Sequence, residues 1–124
     1  MSDNDTDVLI KAVDPKGYPI ILTSERYYGH ILSSDSNHQA HPEFTPEEVK
    51  ATIENPILIY EGKEPDSDVY VSKSCSQYPR LNLLVAVSTY IDCGDVRTAH
   101  LAKDMFDGAK KGGVVKYANY KSVL

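Results

Sequence analysis

The stretch from Leu81 to Ile91, LNLLVAVSTYI, is a long and mostly apolar run in a chain of 124 residues. Such a run is typical of a strand that is buried on both faces, because neither face then needs to be polar. Cys93-Gly94-Asp95 follows it and indicates a turn. The run therefore predicts the central strand of a β-sheet, with cover needed on both faces.

Shorter segments around this run also have the alternation of strands. They are Ile57 to Tyr60, Val69 to Lys73 and Val96 to Leu101. Charged residues from Gly62 to Asp68 predict one connecting turn, and Cys75 to Arg80 predicts a loop. These segments predict a four-stranded meander that ends with Val96 to Leu101. The lysines beyond it are expected to belong to a solvated tail, with RNA contact as the alternative; they are Lys110, Lys111, Lys116 and Lys121.

The N-terminal part predicts a hairpin. Val8 to Val13 and Tyr18 to Leu22 are strand-like, and Asp14-Pro15-Lys16-Gly17 between them is a turn sequence. Pro19 lies in the second strand. Because proline has no backbone N–H to donate to a ladder, it predicts that this strand lies at an edge of the sheet.

Two helices are predicted between the hairpin and the meander. The first covers about Ser24 to Ser33, with Thr23 or Ser24 as its N-cap. The second begins with a capping box at Thr45 to Glu48, in which Pro46 suits the first turn, and it stops at Asn55-Pro56. The order of elements predicts an α+β fold with a largely antiparallel sheet.

Composition is that of a folded globular protein, with 41% hydrophobic and 25% charged residues. Residues 8–124 are expected to form a single domain after an acidic, disordered leader of residues 1–7. No signal peptide and no run long enough to span a membrane is seen, so a cytoplasmic location without membrane contact is expected. The net charge of -5 counts against broad nucleic-acid binding.

Four short motifs occur along the chain in a fixed order. They are TSERYYGHI (23–31), HPEF (41–44), IENP (53–56) and VRTA (96–99). In this order they resemble the phage-associated branch of the barnase/EndoU/colicin/RelE-like nuclease superfamily. The resemblance covers about residues 18 to 101. It implies a barnase/RelE-like α+β domain with two N-terminal helices packed on a largely antiparallel β-sheet.

Arg26 and His30 are the leading candidates for chemistry. Four residues apart on the predicted helix, they would share one face. A guanidinium can clamp a phosphate and an imidazole can move a proton near neutral pH. The alternatives are a surface arginine paired with Glu25 and a histidine packed beside Tyr27.

Three further residues are candidates for the site that the resemblance implies. His41 is a second acid/base group or a turn residue, and Lys73 is a phosphate stabiliser or a solvated lysine. Thr98 is an orienting hydroxyl or an inward threonine bonded to backbone. Arg97 and Thr98 are neighbours, so on a regular strand they would face opposite ways and only one could serve a site.

The resulting functional expectation is a small metal-independent endoribonuclease or nuclease-like, toxin-type domain. RNA, including tRNA, would be its substrate, cleaved by attack of the 2′-OH on phosphorus, with an inhibitor or other protein as a further partner. No cofactor is implied. The alternative is a catalytically inactive α+β module that binds another protein through the surface of its nine tyrosines.

Overall fold

The computed structural model describes residues 8–27, 45–73 and 80–119. One seven-stranded sheet dominates these residues. In chain order the elements are β1 (Val8–Val13), β2 (Pro19–Thr23), α1 (Ser24–Arg26), α2 (Pro46–Glu54), β3 (Leu58–Glu61), β4 (Ser67–Ser72), β5 (Asn82–Thr89), β6 (Gly94–Ala102) and β7 (Val115–Ala118). Across the sheet the order is β1-β2-β6-β5-β4-β3-β7, and only β2 and β6 pair in parallel.

The predicted central strand is confirmed. β5 is the fourth of the seven strands, with β4 on one side and β6 on the other. Leu83, Val85 and Val87 belong to one buried cluster, whereas Leu84 and Ala86 belong to a second. Because successive side chains of a strand point to opposite faces, the two clusters lie on opposite sides of the sheet. The predicted meander of β3, β4, β5 and β6 is also confirmed.

The predicted hairpin of β1 and β2 is confirmed. Its turn is held by Asp14, whose Oδ1 accepts from the backbone N–H groups of Lys16 and Tyr18, both at 2.9 Å. Gly17 supplies the positive φ of 87° that this turn requires.

The edge position predicted from Pro19 is wrong, because β2 lies between β1 and β6. Pro19 is the first residue of β2, and the pairing with β6 begins one residue later, at Ile20 opposite Gly94. The missing N–H is therefore not needed in that ladder. Gly94 allows the close approach of β2, since a Cβ there would lie 3.1 Å from Cγ1 of Ile20.

Helix α2 has the predicted boundaries. Thr45 and Glu48 form the capping box, with Thr45 N–H donating to Glu48 Oε1 at 2.8 Å and Glu48 N–H donating to Thr45 Oγ1 at 3.1 Å. Val49, Thr52 and Ile53 are buried, so this helix covers one face of the sheet. No helix in the described parts of the chain is long and apolar enough to cross a membrane.

The predicted fold class, two N-terminal helices packed on a sheet, is wrong. Strands make up most of the regular structure in the described residues, and the two helices differ in length and in how many residues they bury. α1 has three residues and buries none of them, so it cannot form a packed layer, whereas α2 buries three. The predicted continuation of the first helix to Ser33 and most of the loop from Cys75 to Arg80 lie outside the described residues.

The prediction that β6 would be the last strand is also wrong. Residues of the expected basic tail form β7, which pairs antiparallel with β3 and makes an edge of the sheet. Lys116 in β7 lies 2.9 Å from the buried carboxylate of Asp68 on β4. The ammonium group offsets a buried carboxylate while the Lys116 side chain stays 39% exposed, so this part of the tail belongs to the sheet.

Candidate functional site: a polar groove on the open face of the sheet

The two faces of the sheet are covered differently. On the α2 face, the larger cluster packs between the sheet and the helix. On the other face, called here the open face, the smaller cluster consists of Leu58, Tyr60, Val69, Val71 and Leu84. Its cover comes from the segment after β6, where Met105 and Ala109 pack against it. Polar side chains beside this partial cover form the candidate site.

A groove of about 260 Å³ runs along β6 on the open face. Thr98 and His100 lie directly opposite Ala86 and Leu84 of β5, which places both on this face. An irregularity in the ladder at Ala86 and Val87 gives β6 one extra residue, and Arg97 joins the lining. Lys63, Glu64 and Ser67, around the turn before β4, form the facing wall.

His100 and Asp107 form the most distinctive contact of the groove. His100 Nε2 lies 3.0 Å from Asp107 Oδ2, and the two side chains are 45% and 57% exposed. A carboxylate on one ring nitrogen fixes the orientation of the imidazole and leaves Nδ1 for a second proton partner. The arrangement is that of a histidine prepared for proton transfer at an accessible position.

The segment that carries Asp107 is anchored by backbone contacts. Asp104 Oδ1 accepts from the N–H of Phe106 at 2.9 Å, and the N–H of Asp107 donates to the Asp104 carbonyl at 3.1 Å. The N–H of Lys63 donates to the carbonyl of Gly108 at 3.1 Å. Asp107 is therefore held over β6 by a folded turn and not by its contact with His100 alone.

Arg26 lies beside another part of β6. Asp95 is opposite Ser88, two residues beyond Ala86 on β5, so it shares the open face with Thr98. Burial raises the pKa of Asp95, and the charge of Arg26 opposes that increase. Within the described residues Asp95 Oδ1 has no hydrogen-bond partner. The Arg26 guanidinium therefore provides the nearby positive charge for a half-buried carboxylate.

The predicted site residues are only partly brought together. Thr98 lines the groove, but Arg26 is not among its lining residues. Lys73 is exposed just past the end of β4, and β5 separates that strand from β6. His30 and His41 lie outside the described residues, so the common face predicted for Arg26 and His30 stays a prediction.

Arg97 and Thr98 were predicted to face opposite ways on a regular strand. β6 is irregular at this point, because Arg97 is its extra residue, and both residues line the groove. His100 was not among the predicted site residues. The two-residue period of strands provided a signal, since His100 follows Thr98 by two positions and shares its face. The role of Asp107 had no such signal, because the chain must turn back over the sheet before the carboxylate meets the histidine.

Most of the tyrosines in the described residues are not on an exposed surface. Tyr27, Tyr60 and Tyr70 are buried, Tyr18 and Tyr117 are half-buried, and Tyr90 is the exposed one among the described tyrosines. Tyr60, Tyr70 and Tyr117 lie in strands, where aromatic residues are common.

Comparison of the chain with models of protein families, with curated proteins and with solved structures found no match. The function is therefore inferred from the chemistry of the groove itself.

Proposed function

We propose that the protein is a small metal-independent endoribonuclease whose catalytic site is the groove on the open face. The observation that carries this proposal is the His100–Asp107 pair at 3.0 Å beside Arg97 and Thr98. Together these side chains supply a proton-transfer group, a permanent cation and a hydroxyl in one accessible groove.

In the proposed reaction, the 2′-OH of a nucleotide attacks the neighbouring phosphorus atom and the bond to the 5′-oxygen of the next nucleotide breaks. His100 exchanges a proton with one of these two oxygens, while Asp107 holds the ring in position. Arg97 and Lys63 stabilise the added negative charge on the phosphate oxygens, and the Thr98 hydroxyl donates to one of them.

Arg26 and His30 keep a role in this proposal as neighbouring candidates. β2 runs parallel to β6, so the chain that leaves β2 begins beside β6, where Arg26 already affects Asp95. His30 is a candidate for the second proton-transfer group. Two such groups are needed, because one proton leaves the nucleophile and another reaches the leaving oxygen.

The proposal is tested by RNA cleavage with excess chelator, using total RNA, tRNA and matched single-stranded DNA. His100→Ala is expected to lower the cleavage rate about a hundredfold or more, as expected for loss of a general acid or base. Lys11→Ala is the control, because Lys11 is an exposed cation on edge strand β1 and is not among the residues that line the groove. DNA should not be cut, since it lacks the 2′-OH nucleophile.

Products that end in a 2′,3′-cyclic phosphate would support the proposed attack. Cleavage that survives His100→Ala but disappears in His30→Ala would move the catalytic centre away from the groove. Equal cleavage by both variants and the parent protein would identify a contaminating nuclease and contradict the proposal.

A second candidate function is a protein-interaction module, and one observation favours it. Tyr90 and Ile91, at the tip of the β5–β6 hairpin, are 58% and 95% exposed. Exposed apolar side chains of this size often mark contact surfaces. If the module is the correct function, Ile91→Ser abolishes binding of a protein partner, while His100→Ala leaves that binding unchanged.

A further inference from the structure

Phe106 is an aromatic side chain that the proposed catalytic chemistry does not use. It is 44% exposed, although it belongs to the segment that covers the open face. Its ring contacts Tyr60, with centroids 5.2 Å apart and planes tilted by 31°. Phe106 therefore packs against the core while keeping a large part of its ring in solvent.

The exposed ring is held in one position. The hydroxyl of the buried Tyr60 donates to the Met105 carbonyl at 2.6 Å, directly before Phe106 in the chain. The N–H of Ala109 donates to the Phe106 carbonyl at 3.0 Å, and Asp104 holds the Phe106 N–H. A ring fixed in this way loses little conformational freedom when a flat ligand covers it.

Phe106 also lies next to the proposed catalytic pair. It immediately precedes Asp107, which contacts His100 at 3.0 Å, and Gly108 on the far side of Asp107 lines the groove. The ring and the histidine are thus joined through a single residue. Because Asp107 and Gly108 both line the groove, Phe106 lies at the edge of the groove that holds the proposed catalytic pair.

We propose that Phe106 is the stacking platform for an unpaired base of single-stranded RNA, next to the phosphate that is cleaved in the groove. This inference rests on the proposed function and adds a subsite for the base. Aromatic side chains bind unpaired bases of any sequence through their flat faces, which matches a platform with no built hydrogen-bond pattern. A paired base is stacked inside its helix and cannot cover the ring.

The test uses binding without cleavage. A fluorescein-labelled hexanucleotide of 2′-O-methyl RNA cannot be cut, because its 2′-oxygen carries no proton, and its affinity is measured by anisotropy at low salt. Six further oligonucleotides each lack one base. The parent protein, Phe106→Leu and Phe106→Tyr are compared, with thermal melting as the check of folding. AMP is added as a competitor, to separate an RNA site from a nucleotide site.

The expected result is that the effects of Phe106→Leu and of removing one particular base on the binding affinity are not additive. In the parent protein, removing one particular base lowers the affinity about tenfold. Phe106→Leu lowers the affinity for the complete oligonucleotide by a similar factor, and removal of that same base then has no further effect. Phe106→Tyr, which keeps an aromatic face, binds like the parent protein.

Three results would overturn the inference. In the first, Phe106→Leu binds the hexanucleotide with the same affinity as the parent protein. In the second, the affinity of the parent protein falls equally whichever base is missing. In the third, AMP displaces the hexanucleotide with an affinity equal to that of the hexanucleotide itself. If Phe106→Leu melts at a lower temperature, Phe106→Tyr and the missing-base series in the parent still decide the outcome. If His100→Ala retains full cleavage and the Phe106→Leu and missing-base effects are still not additive, the catalytic proposal fails. The proposed stacking of a base on Phe106 then stands.

Discussion

The α2 face and the open face of the sheet both bury apolar side chains, but they differ in whether their polar contacts are buried or exposed. On the α2 face polar atoms meet one another: the Tyr70 hydroxyl donates to Asp14 Oδ2 at 2.5 Å, and Thr52 and Ser72 hydroxyl oxygens lie 2.7 Å apart. On the open face, His100 and Asp107 meet at the surface and remain about half exposed. Helix α2 covers its face, whereas the described residues after β6 leave an accessible groove on the other face. The proposed catalytic site lies in that groove.

The strongest test of this comparison uses two neighbours on β5. Leu83 faces α2 and Leu84 faces the groove, and both are buried. Leu83→Ala is expected to lower the free energy of unfolding by about 3–5 kcal/mol and Leu84→Ala by about 2–3 kcal/mol, because a site beside an open groove can collapse more fully. Urea unfolding measures both. Equal losses, or a larger loss for Leu84→Ala, would mean that the open face is covered at least as well as the α2 face.

A second pair of variants compares the buried tyrosines of the two faces. Tyr70→Phe should cost about 1.5–3 kcal/mol, because it leaves Asp14 Oδ2, a carboxylate oxygen, without its buried donor. Tyr60→Phe should cost about 1 kcal/mol, since it removes a bond to the neutral Met105 carbonyl. Chemical denaturation gives both values. Equal losses would show that the charged partner adds nothing on the α2 face.

Alkaline pH should weaken both faces through these tyrosines. Burial is the main cause that raises the pKa of Tyr60 to about 12, and burial with the Asp14 contact raises the pKa of Tyr70 as well. Below about pH 10 both tyrosines are protonated in the folded and unfolded states, so they add no pH dependence. Above it the unfolded chain loses these protons first, binds fewer than the native state, and the free energy of unfolding falls.

The measurement is the melting temperature between about pH 9 and pH 12. Tyr60→Phe and Tyr70→Phe should each reduce the slope of the decline, whereas Lys11→Ala, on exposed β1, should leave it as in the parent. A slope unaffected by either tyrosine substitution would assign alkaline unfolding to other groups.

The smallest effect on stability is expected in the groove itself. Asp107→Asn should change the free energy of unfolding by no more than about 0.5 kcal/mol, because the side chains of both His100 and Asp107 are largely exposed. RNA cleavage should nevertheless fall about tenfold or more, since a neutral amide offers the imidazole N–H a weaker acceptor and orients the ring less firmly. Parallel melting and cleavage assays separate the two effects. A clear loss of melting temperature would make this pair part of the fold rather than of the site.

The sequence predicted well those elements whose signals lie within a few residues. The capping box at Thr45, the stop at Asn55-Pro56 and the turn at Asp14 all act through neighbouring hydrogen bonds and preferred backbone angles. The apolar run of β5 predicted its central place, because only a strand covered on both faces can lack a polar side.

Predictions failed where distant segments compete for the same place in the sheet. Pro19 correctly marked a residue that does not donate to a ladder, but the parallel pairing of β2 with β6 begins just beyond it. Val115–Ala118 has little local signal and becomes a strand because β3 offers a free edge and Asp68 attracts Lys116.

The candidate site was likewise predictable from the sequence only in part. The sequence placed Thr98 on a strand and indicated that residues two apart share its face, because the alternation of side chains is a local property of an extended chain. The groove joins Lys63, Arg97 and Asp107, and the extra residue in β6 allows Arg97 to line it beside Thr98. These contacts depend on strand order and on the return of the chain over the sheet. They arise only when non-local burial selects one arrangement of the strands.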